Sequence, residues 1–411
     1  MLVRNSYKIV HFLSKRRPGM NSPHQLRIAI LLLLLFSLAL PFNGQAGQKI
    51  VIGANLPLSG EREATGVSTK EGMELLREQI NGAGGLKVGD SLYEVEYIYA
   101  DNASDPQKAV AVTLELITRH DVLGVVGPNA SSNAIPAGNI CESFKTPMIS
   151  PTSTNPKTTE NRPFVFRACF LDNFQGQVMA NFAIKEFKAA KAAVLYDISS
   201  AYPKGLAEFF KHAFEAKQGP NSVVAFENFL PSEKDLAQHL DRIVASGADV
   251  LFLPQYAHEI PAIIEQARAR GWNKPILGGD AWESSDLMEK CGDKCKGLFF
   301  SSHFGAVGAK GKTQTFVEQY KAKYNQLPIG YAALGYDAAS LMLTAIGRLD
   351  GLKPNLLDNR AALKDQLAGI KGFEGVSGTL DMNVGGDPAK SAVIIKINDK
   401  GEFESYKVEN P

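Results

Sequence analysis

The sequence predicts an α/β protein built on parallel sheets, and three observations carry that reading. Short apolar runs alternate with amphipathic stretches from Lys49 almost to the C-terminus; strands and helices alternating at this length form parallel sheets covered on both faces. Of the 411 residues, about 365 lie beyond an apolar leader, which exceeds one typical core and predicts two domains. After Gly311 the alternation gives way to mainly helical segments, which predicts that the chain returns across both domains.

The leader comes first. Residues 1–60 contain no Asp or Glu, and six basic residues precede Ile28. The run Ile28–Leu40 is apolar apart from Ser37, and it falls short of the roughly 20 residues that a membrane-spanning helix needs. With Pro41 and then Gly44-Gln45-Ala46 behind it, the pattern reads as a signal peptide cleaved after Ala46, with Met20 as an alternative start. An uncleaved anchor is the competing reading; the absence of Cys directly behind the run speaks against a lipoprotein. Without residues 1–46, 38 basic residues stand against 43 acidic ones. That balance argues against a nucleic-acid partner, whose phosphates need clustered basic side chains.

The strands then follow in order: Ile50–Leu56, Tyr93–Ala100, Leu123–Val126, Pro147–Ser150, Val165–Cys169, Ala193–Ile198, Ser222–Phe229, Val250–Leu253, Pro275–Leu277 and Leu298–Ser302. Helices between them include Thr69–Ile80, Pro106–Arg119, Gly205–Ala216, Leu236–Ala245 and Ile260–Arg270. Asp105-Pro106 supplies an N-cap acceptor followed by a residue whose missing N–H costs nothing at the first helical position. Gly84-Gly85 follows the first helix and can take positive φ. Beyond Gly311 come helices Thr313–Tyr324, Tyr331–Leu349 and one near Asn359–Leu367, then two closing strands, Ser377–Asp381 and Ala392–Asn398.

Four cysteines remain after the leader: Cys141, Cys169, Cys291 and Cys295. In an oxidising compartment four cysteines allow three connectivities; Cys291-Gly-Asp-Lys-Cys295 reads as a small disulfide loop, and the pairing of Cys141 and Cys169 stays open. The alternative, a metal site, needs two more soft ligands, and only His303 is near in sequence.

Ligands of open α/β sheets bind beyond the carboxyl ends of the strands, facing helix N-termini. Ser131 and Ser132 follow one strand there, and Thr152, Ser153 and Thr154 follow the next. Tyr202, Tyr256 and Asp280 follow three later strands. Singly these are ordinary N-caps or packing residues. Jointly, two hydroxyl-rich helix starts make an anion site, one carboxylate makes a cation site, and two aromatics make walls. That set suits a zwitterion. No Gly-x-Ser-x-Gly, His-Glu-x-x-His, Walker loop or Gly-x-Gly-x-x-Gly is present, so catalysis is not expected. Asp381–Gly386 opens like a calcium loop but lacks ligands at its fifth and twelfth positions.

An ordered series of motifs carries a family resemblance. It comprises Gly53-Ala-Asn-Leu-Pro-Leu-Ser-Gly60, Ile80-Asn-Gly-Ala-Gly-Gly85, Asp105-Pro-Gln-Lys-Ala109, Gly127-Pro-Asn-Ala-Ser-Ser132 and Ile149-Ser-Pro-Thr-Ser-Thr-Asn-Pro156. Phe166-Arg167, Asp172-Asn-Phe-Gln-Gly176, Tyr202-Pro-Lys-Gly-Leu-Ala207 and Tyr331-Ala-Ala-Leu-Gly-Tyr-Asp337 complete it. From about Gln48 to Glu404 the chain resembles the periplasmic branched-chain amino-acid-binding proteins of ABC transporters, the leucine/isoleucine/valine-binding family.

The resemblance implies the type I periplasmic binding protein fold: two Rossmann-like lobes on a three-strand hinge, in the manner of a Venus flytrap. It implies crossings near Cys169–Leu171, Ser301–Phe304 and Thr379–Asp381. Lobe one would be 47–170 with 303–379, and lobe two 171–302 with 380–411. Residues matching Ser131, Thr152 and Thr154 would hold the ligand carboxylate, and those matching Thr154 and Asp280 the ammonium. Tyr202 and Tyr256 would complete the wall of lobe two. A monomeric periplasmic protein is implied, with a free amino acid as ligand, an ABC permease as partner, and neither cofactor nor metal. Two departures bear on specificity. Some relatives carry Glu where Asp280 stands, and Gly60-Glu-Arg-Glu-Ala-Thr65 is polar where an apolar side-chain pocket uses an aromatic. Within the same fold, an amide, urea or an aromatic acid is the alternative ligand; a sensory protein serving a separate receptor is the alternative role.

Overall fold

The computed structural model describes residues 48–411. The expected signal peptide, its cleavage after Ala46 and the alternative start at Met20 lie outside these residues. The chain opens with β1 (Lys49–Leu56), α1 (Glu63–Gly82), β2 (Leu86–Val88), β3 (Ser91–Asp101), α2 (Pro106–Arg119), β4 (Gly124–Val126), α3 (Ser131–Ser143), β5 (Met148–Ser150) and β6 (Val165–Arg167). It continues through α4 (Asp172–Phe187), β7 (Ala192–Asp197), α5 (Ala201–Gln218), β8 (Val223–Phe229), α6 (Ala237–Ala245), β9 (Val250–Leu253), α7 (Ile260–Ala269), β10 (Ile276–Gly278), α8 (Leu287–Cys291) and β11 (Phe299–Ser302). Last come α9 (Gly311–Tyr324), α10 (Gly330–Gly347), α11 (Leu356–Ala368), β12 (Phe373–Gly375), β13 (Gly378–Met382), β14 (Pro388–Ala389), β15 (Ala392–Ile397) and β16 (Phe403–Glu409).

Two large sheets result, ordered β2-β3-β1-β4-β5-β6 and β16-β15-β11-β10-β9-β7-β8. All pairings among β1, β3, β4, β5 and β6 are parallel, as are those among β7 to β11. Each parallel core therefore repeats one doubly wound order, in which the first strand lies between the second and the third. Such an order places a crevice at the carboxyl ends of the first and third strands. Every residue of β7 and β9 is buried, as expected of strands covered by helices on both faces.

Local chemistry fixes the helices. The Asp105 side chain accepts from Lys108 N at 2.7 Å, capping α2 with Pro106 at its first position. Helices α1 and α10 pack backbone to backbone through glycines. A Cβ on Gly72 would stand 2.0 Å from Ala332 O, and one on Gly335 would stand 2.4 Å from Thr69 O. This contact ties the returning segment to the helix that follows β1.

The return differs from expectation in one respect. The segment Thr379–Asp381, expected to cross between lobes, lies in β13, which belongs to a separate antiparallel sheet with β12 and β14. Buried Asp337 on α10 holds the start of this stretch, accepting from Val376 N at 2.7 Å and Ser377 N at 2.9 Å. Farther on, Arg167 at the end of β6 donates through Nε to Asp387 at 2.7 Å and through its backbone N to Gly386 O at 3.0 Å. The chain joins the second sheet only at Ala392, where β15 pairs antiparallel with β11. Strand β16 was not expected from the sequence. Its residues, Phe-Glu-Ser-Tyr-Lys-Val-Glu, are mostly exposed at a sheet edge, so no apolar alternation marks it. The expected strand Val165–Cys169 ends at Arg167, and the chain runs on without strand structure to α4.

Candidate functional site

Between the carboxyl ends of the two sheets lies a narrow cavity. Arg62, Thr65, Asn129, Ala130, Ser131 and Thr152 line it from the first sheet, Tyr202, Tyr256, Asp280 and Ala281 from the second, and Tyr331 from α10. Its volume is about 10 Å³, room for roughly one water molecule, so the two walls nearly touch. Apart from Tyr331 on α10, the wall is built from segments that follow strands of a parallel core: Arg62 after β1, Ser131 after β4, Thr152 after β5, Tyr202 after β7, Tyr256 after β9 and Asp280 after β10. The doubly wound order thus brings loops that are distant in sequence to a single crevice.

On the first-sheet side the groups favour an anion. Helix α3 begins at Ser131 with Ala130 as its N-cap and no side chain capping it, so its first N–H groups are left for an outside acceptor. Ser131 Oγ accepts from Ser153 Oγ at 3.0 Å, and Thr152 Oγ1 donates to Asn129 O at 3.2 Å. Asn129 Nδ2 donates to Thr69 Oγ1 at 2.9 Å, while its Oδ1 has no partner.

On the second-sheet side the central group is the buried Asp280 carboxylate. Oδ1 accepts from Tyr202 Oη and from Gln175 Nε2, both at 2.7 Å, and Oδ2 lies 3.0 Å from His303 Nε2. Burial pushes the His303 imidazole below its usual value, with the Asp280 carboxylate pulling the other way. A neutral ring then donates through Nε2 and leaves Nδ1 bare, and Nδ1 has no partner. Gly279 permits the cluster, because a Cβ there would stand 2.3 Å from Tyr202 Oη. The Tyr202 and Tyr256 rings are 5.4 Å apart and form the apolar wall.

Five of the six sequence-predicted residues, Ser131, Thr152, Tyr202, Tyr256 and Asp280, share this cavity. Thr154 does not line it. It is fully buried behind the wall, where its carbonyl accepts from Asp172 N at 2.9 Å. Its hydroxyl faces the Asp172 carboxyl without forming a well-directed hydrogen bond. Burial pushes Asp172 up to about 8, with the Thr154 hydroxyl drawing it down and Asp280 adding to the rise.

Sequence reasoning gave no role to Gln175 or Tyr331, although both lie in the motifs that carried the resemblance. Asn129 lies in such a motif too, and Arg62 stands in the polar stretch Gly60-Glu-Arg-Glu-Ala-Thr65. His303, weighed as a third metal ligand beside the cysteines, faces Asp280 instead. Cys291 and Cys295 are joined in a disulfide with their Cα atoms 5.8 Å apart. Cys141 and Cys169 are free, buried thiols, and burial pushes Cys141 up to about 12.

The cavity offers one carboxylate, an array of hydroxyls at a helix start, and aromatic walls between them. The family described as periplasmic binding protein matches residues 49–402. A Leu/Ile/Val-binding protein homolog of Brucella melitensis is 28% identical over 88% of this chain and 95% of its own length. An amino acid binding protein of Pseudomonas aeruginosa is 30% identical over 77% of this chain and 83% of its own. Among solved structures, a leucine binding protein from Thermotoga maritima superposes with a TM-score of 0.80 at 31% identity, covering 88% of this chain and 99% of that one. The branched-chain amino acid transporter substrate binding protein of Streptococcus pneumoniae, in complex with isoleucine, gives 0.79 at 31% identity, covering 89% and 100%.

Proposed function

This chain belongs to the periplasmic binding protein family, and from that premise we propose that it is the extracytoplasmic binding component of an ABC importer and takes an L-amino acid. One observation carries the reading: a buried carboxylate, Asp280, lines the same cavity as the hydroxyls of Ser131 and Thr152. An α-ammonium is matched by the first and an α-carboxylate by the second. The relatives named for amino-acid binding support it. Ligand is bound and released unchanged, a permease receives it, and the protein works as a monomer in the periplasm.

The two sheets and their helices serve as the closing lobes. Contacts already span the cleft: Asn155 Nδ2 donates to Ala201 O at 2.9 Å, and Glu61 lies 3.5 Å from His258 Nε2. A ligand gripped from both sides binds the closed arrangement better, and only that difference can shift the equilibrium. Calorimetry on ligand-stripped protein tests the function directly. Saturable one-to-one binding of a free amino acid, recovered unaltered, is expected. Failure of every amino acid to bind, beside binding of an amide or an aromatic acid, refutes it.

A further inference from the structure

Resting on the amino-acid reading above, we propose that the bound amino acid has an acidic side chain and that Arg62 holds its terminal carboxylate. Arg62 stands where a side chain would leave the cavity. It lines both the small cavity and a larger adjoining chamber, and Tyr256 is the other residue the two share. Both ends of the arginine are fixed. Its backbone carbonyl accepts from Thr65 Oγ1 at 2.7 Å and its backbone N donates to Ser104 Oγ at 3.1 Å. One terminal nitrogen of the guanidinium donates to Ser104 O, and the group lies 4.9 Å from the centre of the Tyr256 ring.

The guanidinium is held in place but not neutralised. Its Nε is buried without a partner, and among the described residues no carboxylate lies within ion-pair distance of it. The adjacent Glu61 is turned to His258 instead. Tyr256, 6% exposed, also has a hydroxyl without a hydrogen-bond partner on this boundary.

Charge matching then selects the ligand. Asp280 answers the α-ammonium, and the hydroxyls and N–H groups around Ser131 answer the α-carboxylate. Arg62, half-buried at the boundary of the two cavities, is the charged group of the wall that a plain zwitterion leaves without an ion-pair partner. A side-chain carboxylate supplies the missing partner with charge-assisted hydrogen bonds. The adjoining chamber carries Glu61, Asp197, Glu233 and Glu259 with Lys234 and His258, so a basic side chain would have to pass Arg62 to reach its carboxylates.

Calorimetry with L-glutamate, L-aspartate, L-glutamine, L-leucine and L-lysine on ligand-stripped protein tests the assignment. Glutamate or aspartate should bind tightest. Arg62→Gln should lower the ratio of acidic-ligand affinity to leucine affinity by about tenfold or more, the scale of a hydrogen bond to a charged group. Arg62→Lys, which keeps the charge, should retain part of that ratio. Leucine or lysine binding tighter than both acids overturns the proposal. So does an unchanged ratio in Arg62→Gln, which would mean that the arginine serves the α-carboxylate common to all amino acids. If Arg62→Gln does not fold, the ranking on the unsubstituted protein decides the question alone. Binding of no amino acid at all is a different result, which removes the underlying function and this assignment with it.

Discussion

The Tyr202 hydroxyl donates to Asp280 Oδ1 at 2.7 Å, and the backbone N of Ala281 donates back to the same hydroxyl at 3.3 Å. Tyr202 opens α5 and Asp280 follows β10, so 78 residues separate two groups that act as one. With Gln175 and His303 they fix the carboxylate's orientation, and on the function proposed above that would reduce the ordering cost of binding.

Asp280→Ala should abolish measurable binding or weaken it by on the order of a hundredfold to a thousandfold, because it strands the ligand ammonium in a buried site. Ser131→Ala should cost roughly threefold to tenfold, since the carboxylate keeps its other donors. Titration calorimetry on both variants decides; equal losses would remove Asp280 as the countercharge.

Gly279→Ala should weaken binding with little change in fold. The added Cβ meets Tyr202 Oη at 2.3 Å, so the phenol must swing away from Asp280. Crystals of the variant should show the Tyr202–Asp280 hydrogen bond broken. An intact bond with unaltered affinity would mean that the loop relaxes instead.

Asp172→Asn should stabilise the protein increasingly as pH rises. Burial raises the Asp172 carboxyl to about 8 in the folded chain, against about 4 in an unfolded one. The folded state therefore retains a proton that the unfolded chain releases. Its contribution is full below pH about 4 and is lost as pH climbs through about 8. An amide cannot ionise, so the variant's gain in melting temperature should be small at pH 5 and largest near pH 8–9. A gain independent of pH would place the effect elsewhere.

Breaking the Cys291–Cys295 disulfide by Cys291→Ser with Cys295→Ser should lower stability by roughly 2 kcal/mol, the scale for so short a loop. Affinity should hold, because neither residue lines the cavity. Paired melting and calorimetry measurements check both halves.

Saturating ligand should reduce the radius of gyration in small-angle scattering, as closure of two lobes requires. An unchanged profile at proven saturation would leave a rigid cleft.

Much of this protein is legible in its sequence because the relevant signals are local. Apolar runs such as Val250–Leu253 mark buried strands wherever they pair, and Asp105-Pro106 marks a helix start by its own chemistry. Ser131, Thr152, Tyr202, Tyr256 and Asp280 could be singled out because each stands directly after a strand, where doubly wound sheets place their ligands. What the tertiary structure decided is how side chains meet across the chain. The grip of Gln175 and His303 on Asp280 spans 105 and 23 residues, and no local pattern encodes it. Arg62 over Tyr256 and the retreat of Thr154 behind the wall depend on which way a side chain turns once two sheets face each other. The attachment of β13 to the first sheet's side rests on Asp337 and Arg167, whose buried polar groups take the partners that the assembled fold brings within reach.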